Sequence, residues 1–431
     1  MIIGAIGMLA VLAMAALGMP ISFSLFFVGF AGVFALQGFN VASSVMSLTP
    51  VGYLLGSEFA ALPLFILLGS FAVASGIASM GFEAARAWLG RLPGGLGIAT
   101  IASSAAFAAC SGSSFAAAAT MGKMAIPEMR QSGYSDRLAT GTCAAGGLLA
   151  TVIPPSGAMV IYGIASGESI GKLLIAGVVP GIVITLFFMA GIYGYARLNP
   201  AAAPLIDIRS TWRERLAYVP KLWGIATIFV VVFFGLFFGW FTATESAAFG
   251  ALTSLAILLL RQGRRSLSAV IEACVECASL TATILFLILG AFVFNSFVVM
   301  AGLPKALTGF IVGLGVEPTL VIVVMMGFYV ILGMFLEGAA MMLITIPIFY
   351  PVVVELGFSG IWFGVLVVMM LEIGMLTPPF GMVAFVIRSV APSVPLADIF
   401  KGALLFAGLE GLVVALVIAF PAIALWLPSL M

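Results

Sequence analysis

Apolar stretches long enough to cross a bilayer recur along the whole 431-residue chain, and some of them contain prolines that no continuous helix tolerates. In hydrocarbon every backbone N–H and C=O has to be satisfied within the protein, at several kcal/mol per failure, which restricts spanning segments to helices and closed barrels. The stretch ATVIPPSGAMV, residues 150–160, breaks that pattern. Proline removes a donor and clashes with the preceding turn, so a helix passing through Pro154 and Pro155 must open. The carbonyls freed there need a partner.

Charged residues make up 8% of the chain and hydrophobic ones 63%, where a soluble protein carries about a quarter charged. The chain therefore reads as an all-α polytopic integral membrane protein. Residues 1–18 lack a basic leading region and are followed almost at once by a second apolar run, which predicts a first membrane helix rather than a cleaved signal. A net charge of +1 and the lack of a basic tail give nucleic acid no purchase. Histidine is absent, which removes the usual haem ligand and the usual base of triad hydrolysis. Cys110, Cys143, Cys274 and Cys277 lie in or beside apolar segments, and the Cys274-x-x-Cys277 pair has no further ligand cluster, so packing thiols are expected.

The chain repeats itself. PLFILLGSFAVASG from Pro63 matches ILFLILGAFVFNSF from Ile284 at an offset of 221. SSFAAAATMGKMAIPEM from Ser113 matches GMFLEGAAMMLITIPIF from Gly333 at 220, and IPPSG from Ile153 matches TPPFG from Thr377 at 224. Three blocks in one order define a first repeat over 1–198 and a second over 222–431, joined by a charged segment at 199–221. Short cytoplasmic loops are enriched in Lys and Arg. Arg197, Arg209, Arg213, Arg215 and Lys221 place the joining segment inside, as RQGRR at 261–265 places the next loop. Where one repeat is basic its copy is poor in charge: Arg86 and Arg91 against Lys305, Arg130 and Arg137 against none. The repeats are therefore expected to have inverted topology, the architecture of secondary transporters.

Each repeat contains two breaks. A re-entrant hairpin is expected at about 94–126 with its tip at Ser111–Ser114, opening to the cytoplasm, and a second at about 318–348 with its tip around Gly333–Gly338, opening to the other side. Each arm is too short for ~30 Å of hydrocarbon at about 1.5 Å per residue. Broken helices follow at about 139–165, through Pro154-Pro155, and 362–388, through Pro378-Pro379. Opened carbonyls, helix C-termini and Ser or Thr hydroxyls suit a hard cation such as Na+. Site one is expected from Ser111, Ser113 or Ser114 with carbonyls around Ala150, Ile153 and Ser156. Site two is expected from Gly333 with carbonyls around Gly374 and Phe380 and the hydroxyl of Thr377. The N-termini of the half-helices suit a substrate carboxylate. Glu337 at the second tip is the foremost acidic candidate, with Glu372 near the second break; Glu245 and Glu410 read as packing or capping groups. Arg388 either holds a carboxylate bidentately or anchors at the interface.

NVASSVMSLTPVGYLLGSE and SLSAVIEACVECASLTAT, ahead of the first block in each repeat, read as amphipathic helices at the interface or bracing a scaffold. With about ten spanning helices and two hairpins, a braced scaffold around a mobile unit would make an elevator-type transporter.

At CSGSSFAAAATMGKMAIPEM, AAGGLLATVIPPS, LGMFLEGAAMMLITIPIFYPVV and LTPPFGMVAFVIRSVAPSVPLADIFKGALLF, the sequence resembles the large membrane (M, DctM-like or SiaM-like) subunit of tripartite ATP-independent periplasmic (TRAP) transporters, over essentially its whole length. The resemblance implies an elevator-type, sodium-coupled importer in a bacterial or archaeal cytoplasmic (inner) membrane. It implies two partners, a small four-helix (Q, DctQ-like) membrane subunit on a separate polypeptide and a soluble periplasmic substrate-binding protein (P subunit), and organic-acid substrates such as C4-dicarboxylates and sialic acids. Carried over, the family's sodium positions fall on Ser111 and Ser114 with the 150–156 break, and on Gly333, Gly374 and Thr377. Glu337-Gly338 stands where the family is expected to carry an Asp. The rival reading is a stand-alone sodium/carboxylate elevator symporter needing no binding protein. A membrane enzyme would require a nucleophile with its base, or cofactor ligands, and the sequence supplies no such set.

Overall fold

A computed structural model describes residues 2–54, 56–205, 211–263 and 266–431; side chains at 49–51, 53, 54 and 57 are not described. Arg209 and the Arg264-Arg265 pair, used above to orient the chain, lie outside the described residues. The described residues form helices and turns, with no strand among them.

In chain order α1 (Ile2–Ala16), α2 (Ile21–Gln37) and α3 (Phe39–Leu54) precede α4 (Ala61–Ala74) and α5 (Ile77–Leu89). Next come α6 (Gly95–Ser111), α7 (Ser114–Gln131), α8 (Asp136–Val152) and α9 (Gly157–Ser166), then α10 (Ile170–Ala176) and α11 (Val178–Leu198). After the joining segment come α12 (Trp212–Tyr218), α13 (Trp223–Phe229), a π turn at Val230–Phe234, α14 (Gly235–Phe237), α15 (Ala243–Gln262) and α16 (Ser266–Met300). The remainder is α17 (Leu303–Gly313), α18 (Pro318–Gly333), α19 (Gly338–Glu355), α20 (Gly360–Leu376), α21 (Met382–Val390), α22 (Leu396–Ala419) and α23 (Ala422–Leu425). Six helical segments are long and apolar enough to cross a membrane, and eight if each of two bent pairs, α4–α5 and α8–α9, counts as one span. One of these, α19, is an arm of the second hairpin; the expected ten spans are reached by setting it aside and adding the broken α20–α21 pair together with α1 and α2, whose 15 and 17 residues fall short of the usual twenty or so.

The helices exchange partners between the repeats. α2 packs on α16 and α4 on α15; α7 packs on α21 and α19 on α9. Tyr162 of α9 donates to the Gly360 carbonyl at 2.7 Å and Tyr350 of α19 to Glu168 at 2.8 Å, fixing one of these exchanges with polar contacts.

Helix caps give the repeat register. The N-caps Ser135 and Ser359 lie 224 positions apart, as do the C-caps Ile153 and Thr377 and the N-caps Ser113 and Glu337. The left-handed glycines that start α5 and α17, Gly76 and Gly302, lie 226 apart. The hairpins therefore align at 224 rather than the 220 read from sequence, and Pro127 aligns with Pro351, both inside helices. A four-residue slip is about one turn, which leaves the apolar face unchanged, so letter matching cannot see it. A second expectation changes too. SLSAVIEACVECASLTAT is the first half of the 35-residue helix α16, continuous with the span rather than a separate interfacial helix, because nothing between Ser266 and Gly290 interrupts it.

The two broken helices form the centre. Every residue of α8 from Leu138 to Val152 is buried, as is all of α20 from Trp362 to Leu376. With no hydrophobic drive between helices in lipid, close contact depends on small residues. On α8 a Cβ at Gly141 would meet the Gly402 backbone at 2.4 Å, and one at Gly147 would meet the Ala118 backbone at 2.8 Å. Arg137–Asp398, at 2.7 Å, holds the same α8–α22 contact one turn away, while Arg130–Asp136, at 2.8 Å, ties the end of α7 to the start of α8. Arg86 pairs with Glu128, linking α5 to α7.

Because a Cβ at Gly402 would fall 1.9 Å from the Arg137 carbonyl, Gly402→Ala should force α8 and α22 apart. We expect a loss of about 1–3 kcal/mol, seen as a lower thermal transition in detergent. Gly408→Ala on the same helix, where a Cβ meets nothing within 4 Å, should be neutral or stabilising by up to about 1 kcal/mol.

Candidate ion and substrate site

At the first break α6 ends on Ser111, Gly112 takes the left-handed conformation (φ 64°) and Ser113 caps α7 by accepting from Ala116 N at 3.4 Å. Ser111 Oγ donates to the Ser113 carbonyl at 3.3 Å. The tip lies directly on the broken helix. Gly157 N reaches the Gly112 carbonyl at 3.4 Å, and a Cβ on Gly112 would stand 3.0 Å from the Pro155 carbonyl. Below it, α8 closes with Ile153 in extended backbone, Pro154-Pro155 is cis, and Ser156 caps α9 by accepting from Met159 N at 3.2 Å. Ser111, Ser114, Ala150, Ile153 and Ser156 are buried, while Ser113 is half-buried. Gly69 of α4 covers the tip from outside, so closely that a Cβ there would lie 2.2 Å from the Ser111 carbonyl. The structure thus brings together the residues expected for site one, with Ala150 one turn inside α8.

The second break uses other groups for the same geometry. α18 ends at Gly333, a turn follows, and Glu337 caps α19 by accepting from Ala340 N at 3.2 Å. Gly333 meets Gly374 backbone to backbone: a Cβ on Gly374 would lie 2.6 Å from the Gly333 Cα. Thr377 donates through Oγ1 to the Ile373 carbonyl at 2.6 Å and through N to the Gly374 carbonyl at 3.1 Å. Pro378-Pro379 is cis and Gly381 (φ 46°) starts α21. Gly333, Gly374 and Thr377 are therefore assembled. Phe380 is 53% exposed and its ring packs edge-on against Phe335 of the tip, 5.8 Å between centroids. Glu337 occupies the place that Ser113 has in the first repeat, and a carboxylate there has a structural task in satisfying orphan N–H groups. Arg388 donates to the Val394 carbonyl and closes the turn between α21 and α22. Glu245 completes a capping box with Thr242 at the start of α15.

What the sequence did not reveal lies between the breaks. Thr151 donates to Glu372, and Ser156 Oγ donates to the Thr151 carbonyl. Glu372 and, on α22, Glu410 are fully buried, and one oxygen of each carboxyl has no hydrogen-bond partner. The only signal available in the sequence was two acidic residues inside apolar helices.

Oxygen atoms crowd both breaks, and no lysine or arginine among the residues placed there balances them. Such donor sets fit small hard cations. No histidine, cysteine or carboxylate cluster suited to a transition metal occurs among the described residues.

Residues 8–423 match the family model described as the tripartite ATP-independent periplasmic transporter, DctM component. The chain is 36% identical over 371 residues to a C4-dicarboxylate TRAP transporter large permease protein of Pseudomonas aeruginosa, covering 86% of each chain. It is 31% identical over 421 residues to the sialic acid TRAP transporter large permease protein of Vibrio cholerae, covering 96% of this chain and 95% of that one. A 2,3-diketo-L-gulonate TRAP large permease protein of Escherichia coli is 31% identical over 377 residues, 87% of each chain. In fold it is similar to the Alcanivorax borkumensis YdaH transporter, with TM-score 0.63 over 91% of this chain and 90% of that one at 14% identity. The paired breaks, the buried α8 and α20 and these whole-length matches lead to one identification: the chain belongs to the DctM family of TRAP transporter large permease components and is a transporter subunit rather than an enzyme.

Proposed function

We propose that this subunit imports an organic acid across a bacterial or archaeal inner membrane by coupling it to sodium, accepting the solute from a periplasmic binding protein and working beside a small membrane subunit. The observation that carries the reading is the pair of backbone meetings, Gly112 with Pro155 and Gly157, and Gly333 with Gly374. Each surrounds a helix break with carbonyl and hydroxyl oxygens, the donor chemistry for Na+. In this reading Ser111, Ser114, Ile153 and Ser156 line the first site, and Gly333, Gly374 and Thr377 the second. The helix N-termini at Ser113, Ser156 and Glu337 carry partial positive charge, which favours a substrate carboxylate between them. Names of relatives support an organic acid in general: a C4-dicarboxylate, a sialic acid and a diketo-gulonate. The two hairpins opening to opposite faces, with α7, α8, α19 and α20 moving as one unit against α2, α4, α15 and α16, would complete an elevator.

The test is uptake into proteoliposomes holding this chain with its small subunit, binding protein outside and the sodium gradient imposed or omitted. Uptake should require both the gradient and the binding protein. Uptake without the binding protein would favour a stand-alone symporter, and uptake indifferent to sodium would remove the ion sites. Ser111→Ala and Thr377→Val should each raise the sodium concentration for half-maximal uptake by about 3–10-fold, or ~0.7–1.4 kcal/mol of lost binding. Gly374→Ala, whose Cβ has no room against Gly333, should abolish uptake, while Gly327→Ala, which meets nothing within 4 Å, should leave it intact.

A further inference from the structure

A series of hydrogen bonds runs from the first break to Glu372, which lies two residues along α20 from the second tip's contact. It begins where Gly112 meets Pro155 and Gly157 and passes to Ser156, whose hydroxyl donates to the Thr151 carbonyl. The single proton of the Thr151 hydroxyl is shared between the Leu148 carbonyl at 2.6 Å and, across the repeat boundary, Oε1 of Glu372 on α20. Two residues beyond Glu372 is Gly374, whose backbone meets Gly333 at the second tip. Ser156 and Glu372 are 0% exposed and Thr151 6% exposed, so water does not compete for these bonds.

The Thr151–Glu372 bond has unusual leverage. The Glu372 carboxyl, 0% exposed, has one oxygen unpartnered, and the Thr151 hydroxyl is the only hydrogen-bond donor found for the other among the described residues. Such a group is held strongly to its one partner, because leaving it without one costs the full desolvation penalty. Both ends lie close to a break: Thr151 is one residue from the end of α8 at Val152, and Glu372 is four residues from the end of α20 at Leu376.

We propose that Glu372, held by Thr151, is a positioning residue that ties the two breaks together, so that filling one cation site favours filling the other. This rests on the sodium reading above. Coupling of this kind is a free energy shared by both sites and is reciprocal, so it shows as cooperativity rather than as a change at one site alone.

The experiment is a sodium titration of uptake in proteoliposomes carrying the chain with its small subunit and binding protein. It compares the wild type with Thr151→Val, Thr151→Ser, Glu372→Gln and the double variant Thr151→Val/Glu372→Gln, each checked by thermal unfolding. The wild type should give a Hill coefficient of about two. Thr151→Val should bring it towards one and raise half-saturation by about 5-fold or more, and Thr151→Ser, which keeps the hydroxyl, should restore both. Glu372→Gln keeps an accepting oxygen in place of the carboxyl and should fall between them; it carries the test if Thr151→Val does not fold. The double variant should be no worse than Thr151→Val alone, as expected of two ends of one link. A wild-type coefficient of one, or an unchanged coefficient in both single variants with only a lower unfolding temperature, overturns the coupling and leaves the sodium reading standing. Wild-type uptake indifferent to sodium overturns both.

Discussion

Backbone groups that have lost their helix partners in a nearly anhydrous interior are the constraint on which this fold depends. Each of the four breaks in the two repeats exposes N–H and C=O groups that lipid cannot solvate. The structure answers in two ways. Side chains cap the restarting helices at Ser113, Ser156 and Glu337. Elsewhere backbone is pressed on backbone, where Gly69 meets the Ser111 carbonyl, Gly177 the Val152 carbonyl and Gly333 meets Gly374. Carbonyls so arranged remain close together and short of donors.

The burial of α8 and α20 follows from that constraint. A broken helix facing lipid would leave its opened turns unsatisfied; α8 and its break are enclosed by helices of both repeats, and α20 is enclosed as far as Leu376, with Pro378, Pro379 and Phe380 exposed beyond it. Enclosure demands close approach, which explains the concentration of glycine and alanine on α8 and its contact with Gly402 of α22. α20 reaches the same burial with larger side chains: Trp362 is 1% exposed and bonds the Val417 carbonyl at 2.9 Å, and Phe363 stacks edge-on with Tyr162 and Tyr329. Related helices thus fill equivalent positions by different means, one by letting neighbours in and the other by filling the space itself.

Much of this was legible in the sequence, for identifiable reasons. Breaks were readable because proline and glycine act locally on the backbone: Pro154-Pro155, Pro378-Pro379 and the tip glycines need no tertiary information to be noticed. The repeat was readable as a pattern but not in register, because an apolar face repeats every turn and a four-residue slip conserves it. The double-proline blocks already stand at 224, and the caps, Ser113 against Glu337 and Ser135 against Ser359, bring the hairpins to the same offset. That shift also puts Glu337 in line with the Ser113 cap, so its carboxylate has a capping task at the start of α19. The Thr151–Glu372 bond was not legible. Its ends are 221 positions apart, on helices whose facing sides are set by packing that no local pattern encodes.

The two breaks of each pair are alike in shape and unlike in chemistry, and the difference has a physical consequence. At the first, hydroxyls of Ser111 and Ser156 lie among the carbonyls, and both donate to neighbouring carbonyls, Ser113 and Thr151. A hydroxyl that already donates still presents lone pairs, so its oxygen remains available to a cation without breaking the bond it makes. At the second, Thr377 alone supplies such an oxygen, and its bond runs back into its own helix, to Ile373. The remaining donors there belong to glycines packed too tightly for any side chain. The first break can therefore adapt by rotating two hydroxyls, while the second has the Thr377 hydroxyl alone beside backbone packed on backbone.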